Sequence, residues 1–191
     1  MPQCRSPWHS RTRPVARRAS SVGARRVATA LHALHLRSDV ERKRLAGLGP
    51  LDDSRSPADA GIYTREFNAR TYARLSEAAA EALAGGTPAI VDAACLRRSE
   101  RRDLENCAIA HDARFAVLHC EAPTPVLRAR VEARRRRGSD ASEAGVDVLE
   151  RQPGYWEPFD ADELRHVVSV DTTGTDPVAD AVARLAALDV R

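Results

Sequence analysis

Two rhythms of apolar and polar positions run along the chain after residue 60. Residues 63–83 are rich in alanine, with Phe67, Tyr72, Leu75, Ala79 and Leu83 recurring on one helical face. That spacing predicts a long amphipathic helix, and Gly85-Gly86 stops it. Short apolar runs at 88–91 (ending at Asp92), 115–120 and 166–170 predict buried strands. Between them, 97–110 reads as a helix with Ser99 as its cap. Residues 125–137 read as another, with Val126, Leu127 and Val131 turned inward and its arginines outward. Residues 138–143 form a loop capping a helix through about Gln152, and Asp176-Pro177 opens a closing helix that runs to Leu188. Upstream, 33–36 is one more candidate strand, followed by a helix over 40–48 and a loop over 49–61. Strands alternating with helices predict an α/β domain with a mainly parallel sheet.

In such sheets ligands bind outside the carboxyl ends of the strands. Asp39 and Asp92 each follow a strand and are expected to face one crevice. Two carboxylates there suit a general base and a magnesium-side acid. Either also reads as a plain helix N-cap.

Composition narrows the classes. A chain of 191 residues that is 43% hydrophobic supports one ordinary domain. No apolar run approaches the roughly 20 residues that span a bilayer, which excludes an integral helical membrane protein. The net charge of +3 hides an asymmetry. Residues 1–38 hold eight arginines and no acid, leaving 22 basic against 27 acidic residues in the rest. The pI near 8.9 therefore belongs to an N-terminal arm. Trp8 is the arm's one aromatic ring besides histidine and no series of aromatics is interleaved with its arginines for base stacking, so nucleic acid is not the expected partner. Its composition also fits a leader or non-native sequence. Cys4, Cys95, Cys107 and Cys120 form no CxxC pair, as expected of a reduced cytoplasmic protein. His32 and His35 sit one helical turn apart without further ligands at zinc spacing. Lys43 is the sole lysine among 30 basic residues.

Three separated segments carry a resemblance: LRSDVERKRLAGL at 36–48, AIVDAACLRRSER at 89–101, and LHCEAPTPVLRARVEARRRRGSDASEAGVDVLERQ at 118–152. In this order they resemble the small bacterial P-loop kinases of the AAA_33 and zeta-toxin-like type. Polynucleotide kinase, gluconate kinase and shikimate kinase are similar in architecture. The resemblance covers 34–188 and implies a P-loop NTPase-type three-layer α/β fold, with ATP and Mg²⁺ as cofactors and a hydroxyl of a small molecule or nucleic-acid end as acceptor. It implies Asp39 as the carboxylate that takes the acceptor proton and Asp92 as the metal-side acid. Arg128, Arg130, Arg134 and Arg137 would belong to a lid, centred on 134–145, whose guanidinium groups clamp the transferring phosphoryl. It also implies a fused aminoglycoside-phosphotransferase-like domain on the N-terminal side, as such domains often have.

The chain departs from this family at its defining element. GxxxxGK[ST] should follow a buried strand, because its amides cradle phosphates and its lysine neutralises their charge. The corresponding stretch is SSVGARRVATAL at 20–31. It puts Gly23 at the last motif glycine, Ala24 at the lysine, and Arg25 as the nearest available charge for phosphate. Residues 10–19, SRTRPVARRA, show no apolar run for the family's central first strand. The expected division is therefore a disordered or non-native arm over 1–26, of the kind a frameshift or misplaced start produces, and a kinase-like domain over 27–191. Three functions remain open on these residues: an ATP-dependent kinase, a pseudokinase or binding module, and a decayed fragment.

Overall fold

The computed structural model describes residues 15–18, 21–57 and 59–188. Five parallel strands form one sheet: β1 (Val15–Arg18), β2 (Leu34–Arg37), β3 (Ala89–Asp92), β4 (Ala116–Glu121) and β5 (Val167–Asp171), in the order β2-β3-β1-β4-β5. The helices are α1 (Ser21–Ala30), α2 (Ser38–Leu45), α3 (Arg65–Ala84), α4 (Arg98–Ala110), α5 (Thr124–Arg137), α6 (Val146–Tyr155), α7 (Ala161–Leu164) and α8 (Pro177–Ala187). Every sheet neighbour is parallel, so each connection crosses over through a helix, as the alternation of elements predicts.

Strand alternation builds two cores. Ala89, Val91 and Val117 face one side with Leu36, Leu75, Ala79, Leu104 and Phe115, beneath α3 and α4. Ile90, Ala116 and Leu118 face the other with Val27, Ala28, Val168, Val170, Ala181 and Leu185, beneath α1 and α8. A period of two along buried strands sends successive side chains to opposite layers, and the result is the expected three-layer α/β architecture.

The largest correction concerns the first strand. β1 occupies the centre of the sheet, with Val15 to Arg17 in register with Ile90 to Asp92 on one side and Val15 to Arg18 with Ala116 to His119 on the other. It was not legible because a central strand of four residues, VARR, has only two apolar positions. The boundary expected at residue 27 does not coincide with an element boundary, since β1 and the first turns of α1 precede it.

Other differences are local. The long helix begins at Arg65, where the Thr64 side chain accepts from Phe67 N–H, with a short 3₁₀ turn over Gly61–Tyr63 before it. Ser99 lies inside α4 rather than capping it; the free amides go to Glu100, which accepts from Arg97 N–H, and to Glu157, which accepts from Arg98 N–H. No residue of α5 is buried, so Val126, Leu127 and Val131 are only half-covered. No described helix is long and apolar enough to cross a membrane.

Candidate functional site

The carboxyl ends of β2 and β3 lie side by side, with Arg37 opposite Asp92 in the register. This brings the two predicted carboxylates to one edge of the sheet. Asp39 stands in the first turn of α2. Burial pushes its carboxyl above the usual carboxylate range, and the nearby Asp92 charge adds to this. Hydrogen bonding from Ser142 and the charges of Arg42 and Arg37 act against the rise. Asp92 ends β3, and His35 Nε2 lies 3.1 Å from its Oδ2.

Asp39 marks one end of a cavity of about 1420 Å³ between α2, α3, α4 and the segment joining α5 to α6. That exceeds the roughly 300–1,000 Å³ typical of small-molecule pockets. Its inner wall is a wired polar network. Arg42, buried in α2, donates to Ile62 C=O at 3.0 Å and to Asn68 Oδ1 at 2.8 Å, with its guanidinium 5.3 Å from the Tyr63 ring centre. Asn68 in turn donates to Glu100 Oε1 at 3.1 Å. Glu143 closes the other wall, taking hydrogen bonds from Tyr63 and Ser54. Lys43, 2% exposed, pairs with Glu143 at 2.9 Å and donates to Pro50 C=O.

The predicted lid arginines scatter. Arg134 donates to Ala144 C=O at 2.7 Å, within the expected lid. Arg130 points elsewhere, to Thr172 Oγ1 and C=O at 2.6 and 2.8 Å. Arg128 pairs with exposed Glu150, and Arg137 bonds only within its own helix end. None of these four lines the large cavity, whereas Arg135 does. Gly23 and Arg25 lie inside α1, Gly23 half-buried and Arg25 exposed. Gly23 and Arg130 meet at a second cavity of about 210 Å³, walled also by Thr172 and Val178.

The residues present do not fit ATP and Mg²⁺ in the manner the resemblance implies. The stretch SSVGARRVATAL at 20–31 holds no GK[ST], the element whose amides and lysine hold phosphate. Ala24, at the expected lysine position, is fully buried, and Lys43 is committed to Glu143. Mg²⁺ is ordinarily held by one or two carboxylates together with substrate phosphates. Among the described residues no group of three His, Cys, Asp or Glu side chains could hold a metal on its own.

Asp39 and Asp92 stand at the strand ends where the sequence places them, Asp39 lining the large cavity and Asp92 not, whereas Arg42, Asn68 and Glu143 were not singled out. One signal for Arg42 was available: five of the eight residues of α2, SDVERKRL, are charged, yet Glu41, Arg42 and Lys43 are all buried. Buried charges require partners, so a charged helix directly after a sheet strand points to a polar site.

Comparison with known proteins agrees with this geometry. The AAA_33 family model, described as an AAA domain, matches residues 21–159. No curated protein matches the chain significantly. Among solved structures, a gluconokinase from Sinorhizobium meliloti 1021 is similar at 21% identity and TM-score 0.61, covering 94% of each chain. Shikimate kinase from Acinetobacter baumannii, in complex with shikimate, matches at 15% identity and TM-score 0.54, covering 95% of this chain and 94% of its own. The APS kinase CysC of Mycobacterium tuberculosis, in complex with AMPPNP and APS, matches at 16% identity and TM-score 0.58, covering 93% of this chain and 97% of its own. These likenesses show a shared P-loop kinase fold.

Proposed function

This chain belongs to the AAA_33 family of AAA domains, and from that premise we propose that it is a kinase-like binding domain. In this reading the large cavity takes a small hydroxyl-bearing molecule, and Asp39 is the carboxylate that faces its hydroxyl. The family reaction, transfer of the ATP γ-phosphoryl to that hydroxyl, is not completed by this polypeptide. One observation carries the reading: Ala24 is fully buried where the phosphate-loop lysine belongs and the sole lysine, Lys43, is paired with Glu143, while the acceptor side keeps its polar wall.

Asp39 suits a hydroxyl partner on elementary grounds. A carboxyl whose ionised form is disfavoured by burial regains stability by hydrogen bonding to a donor. A ligand hydroxyl supplies one. Tyr63 and Arg42, ordered by their own partners, present a stacked face beside it. Arg130, with both terminal nitrogens on Thr172, supports the chain after β5 rather than a phosphate.

The test is an ATP–Mg²⁺ phosphoryl-transfer assay against a panel of polyols and sugar acids, run beside Asp39→Asn. The expected result is no transfer by either protein. Measurable turnover that Asp39→Asn abolishes overturns the reading and restores a working kinase.

A further inference from the structure

Residues 138–145 join α5 to α6, and Glu143, Ala144 and Gly145 line the cavity. A glycine stands at each end. Gly138 ends α5 at φ +59°, a left-handed conformation that suits glycine. Gly145 is buried before α6, where an added Cβ would lie 2.4 Å from Asp147 Oδ1. Between them the chain is fastened to the β2–α2 corner at two points. Asp140 Oδ1 accepts from Arg37 at 2.9 Å, and Glu143 pairs with Lys43 at 2.9 Å. Ala141, between the fasteners, is 2% exposed.

Glu143 is fully engaged. Its Oε1 lies 2.9 Å from Lys43 Nζ and 2.9 Å from Ser54 N; its Oε2 accepts from Ser54 Oγ at 2.5 Å and from Tyr63 at 3.1 Å. A carboxylate offers about four lone-pair sites, so none remains for a ligand although Glu143 lines the cavity. Its chemistry is that of a fastener. The partners that hold the segment come from the end of β2, from α2, from the loop after it and from the 3₁₀ turn, and among the described side chains the arginines of α5 add the Arg134–Ala144 bond.

We propose that residues 138–145 form a strap that latches itself shut over Asp39 through the Lys43–Glu143 and Arg37–Asp140 pairs, with no nucleotide phosphate taking part. The latch rests on these contacts alone; that the space it closes is a ligand site rests on the proposed function.

The sole lysine makes the latch measurable without any ligand. Apart from the chain's α-amino group, Lys43 Nζ is the one amine that an N-hydroxysuccinimide ester can acylate. Its rate, read by mass spectrometry against that α-amino group, reports opening. Asp140→Asn removes the negative charge that Arg37 meets on the strap and leaves Lys43 and α2 unchanged. It is expected to speed Lys43 acylation about tenfold, equivalent to about 1.4 kcal/mol of opening free energy. Carbodiimide coupling at Asp39 should rise by a similar factor. Cys95 and Cys120, buried in the two cores, should stay unreactive to a thiol reagent. Equal Lys43 rates in the two proteins overturn the latch. So does acceleration at Lys43 without Asp39, or acceleration shared by both core cysteines, which would be global unfolding.

Discussion

The two halves of the sheet's carboxyl edge differ sharply in how they treat charge. On one half, beyond β2 and β3, Glu41, Arg42, Lys43 and Glu143 are enclosed or half-enclosed; Glu41, Lys43 and Glu143 are in ion pairs, and Arg42 donates to Ile62 C=O and Asn68 while its buried Nε has no partner. On the other half, beyond β1 and β4, α1 packs Ala24, Val27 and Ala28 inward. The space left there, about 210 Å³, is smaller than ordinary small-molecule pockets. Enclosed charges persist only where partners are supplied, because an unpaired one costs several kcal/mol. The comparison teaches that the fold's ligand cavity and its phosphate cradle are built from separable parts. One sheet can carry the first without the second.

The sharpest way to break that contrast is at Lys43. Lys43→Met leaves Glu143 without its charge partner in an enclosed place and is expected to cost about 3–5 kcal/mol, read from the denaturant midpoint. Adding Glu143→Gln should recover part of that loss; a single variant within 0.5 kcal/mol of the parent would mean, roughly, that the β2–β3 half is wired no more tightly than a surface.

Acid sharpens it next. Burial alone would raise Glu143 and Asp140, but the bonds from Ser54 and Lys43 to the one, and from Ser142 N–H and Arg37 to the other, outweigh it and hold both below their ordinary values of 4.5 and 3.8. Groups lowered by folding contribute stability that is present above their unfolded values and lost as pH falls through the folded ones. Stability should therefore fall below about pH 4.5, and Glu143→Gln should flatten that acid limb in a series of denaturant titrations.

Asp39 works with the opposite sign. Its folded value is raised, so its ionisation opposes folding at neutral pH, and the opposition fades as pH falls through that raised value. Asp39→Asn should raise the thermal midpoint at pH 7 and do so less at low pH. A lowered midpoint at pH 7 would show that its partners outweigh its burial.

The smallest effect belongs to the β1–β4 half. Arg25 is exposed on α1, so Arg25→Ala should change stability by no more than about 0.5 kcal/mol by denaturant titration. A larger loss would show that this arginine has a structural duty like those across the sheet.

Much of the architecture was legible because its signals are local. β3, β4 and β5 are apolar runs, α3 carries a helical stripe, and Asp176-Pro177 announces α8, where Asp176 accepts from Ala179 N–H. β1 was not, because two of its four residues are arginines and its place is set by pairing with β3 and β4. Asp39 and Asp92 could be read from strand ends. The fastening of Asp39 could not, since Arg37 meets Asp140 across 103 residues and Ser54 meets Glu143 across 89. A sequence shows which residues can carry charge, while tertiary structure decides which charges meet.

Whether nucleotide still binds this P-loop kinase fold, with Ala24 buried at the expected lysine position and Lys43 paired with Glu143, is read by titrating ATP into the protein by calorimetry, with and without Mg²⁺. The proposed function predicts no saturable binding in either titration. Saturable binding that Mg²⁺ strengthens would overturn it, because phosphate would then be held without the lysine of GK[ST].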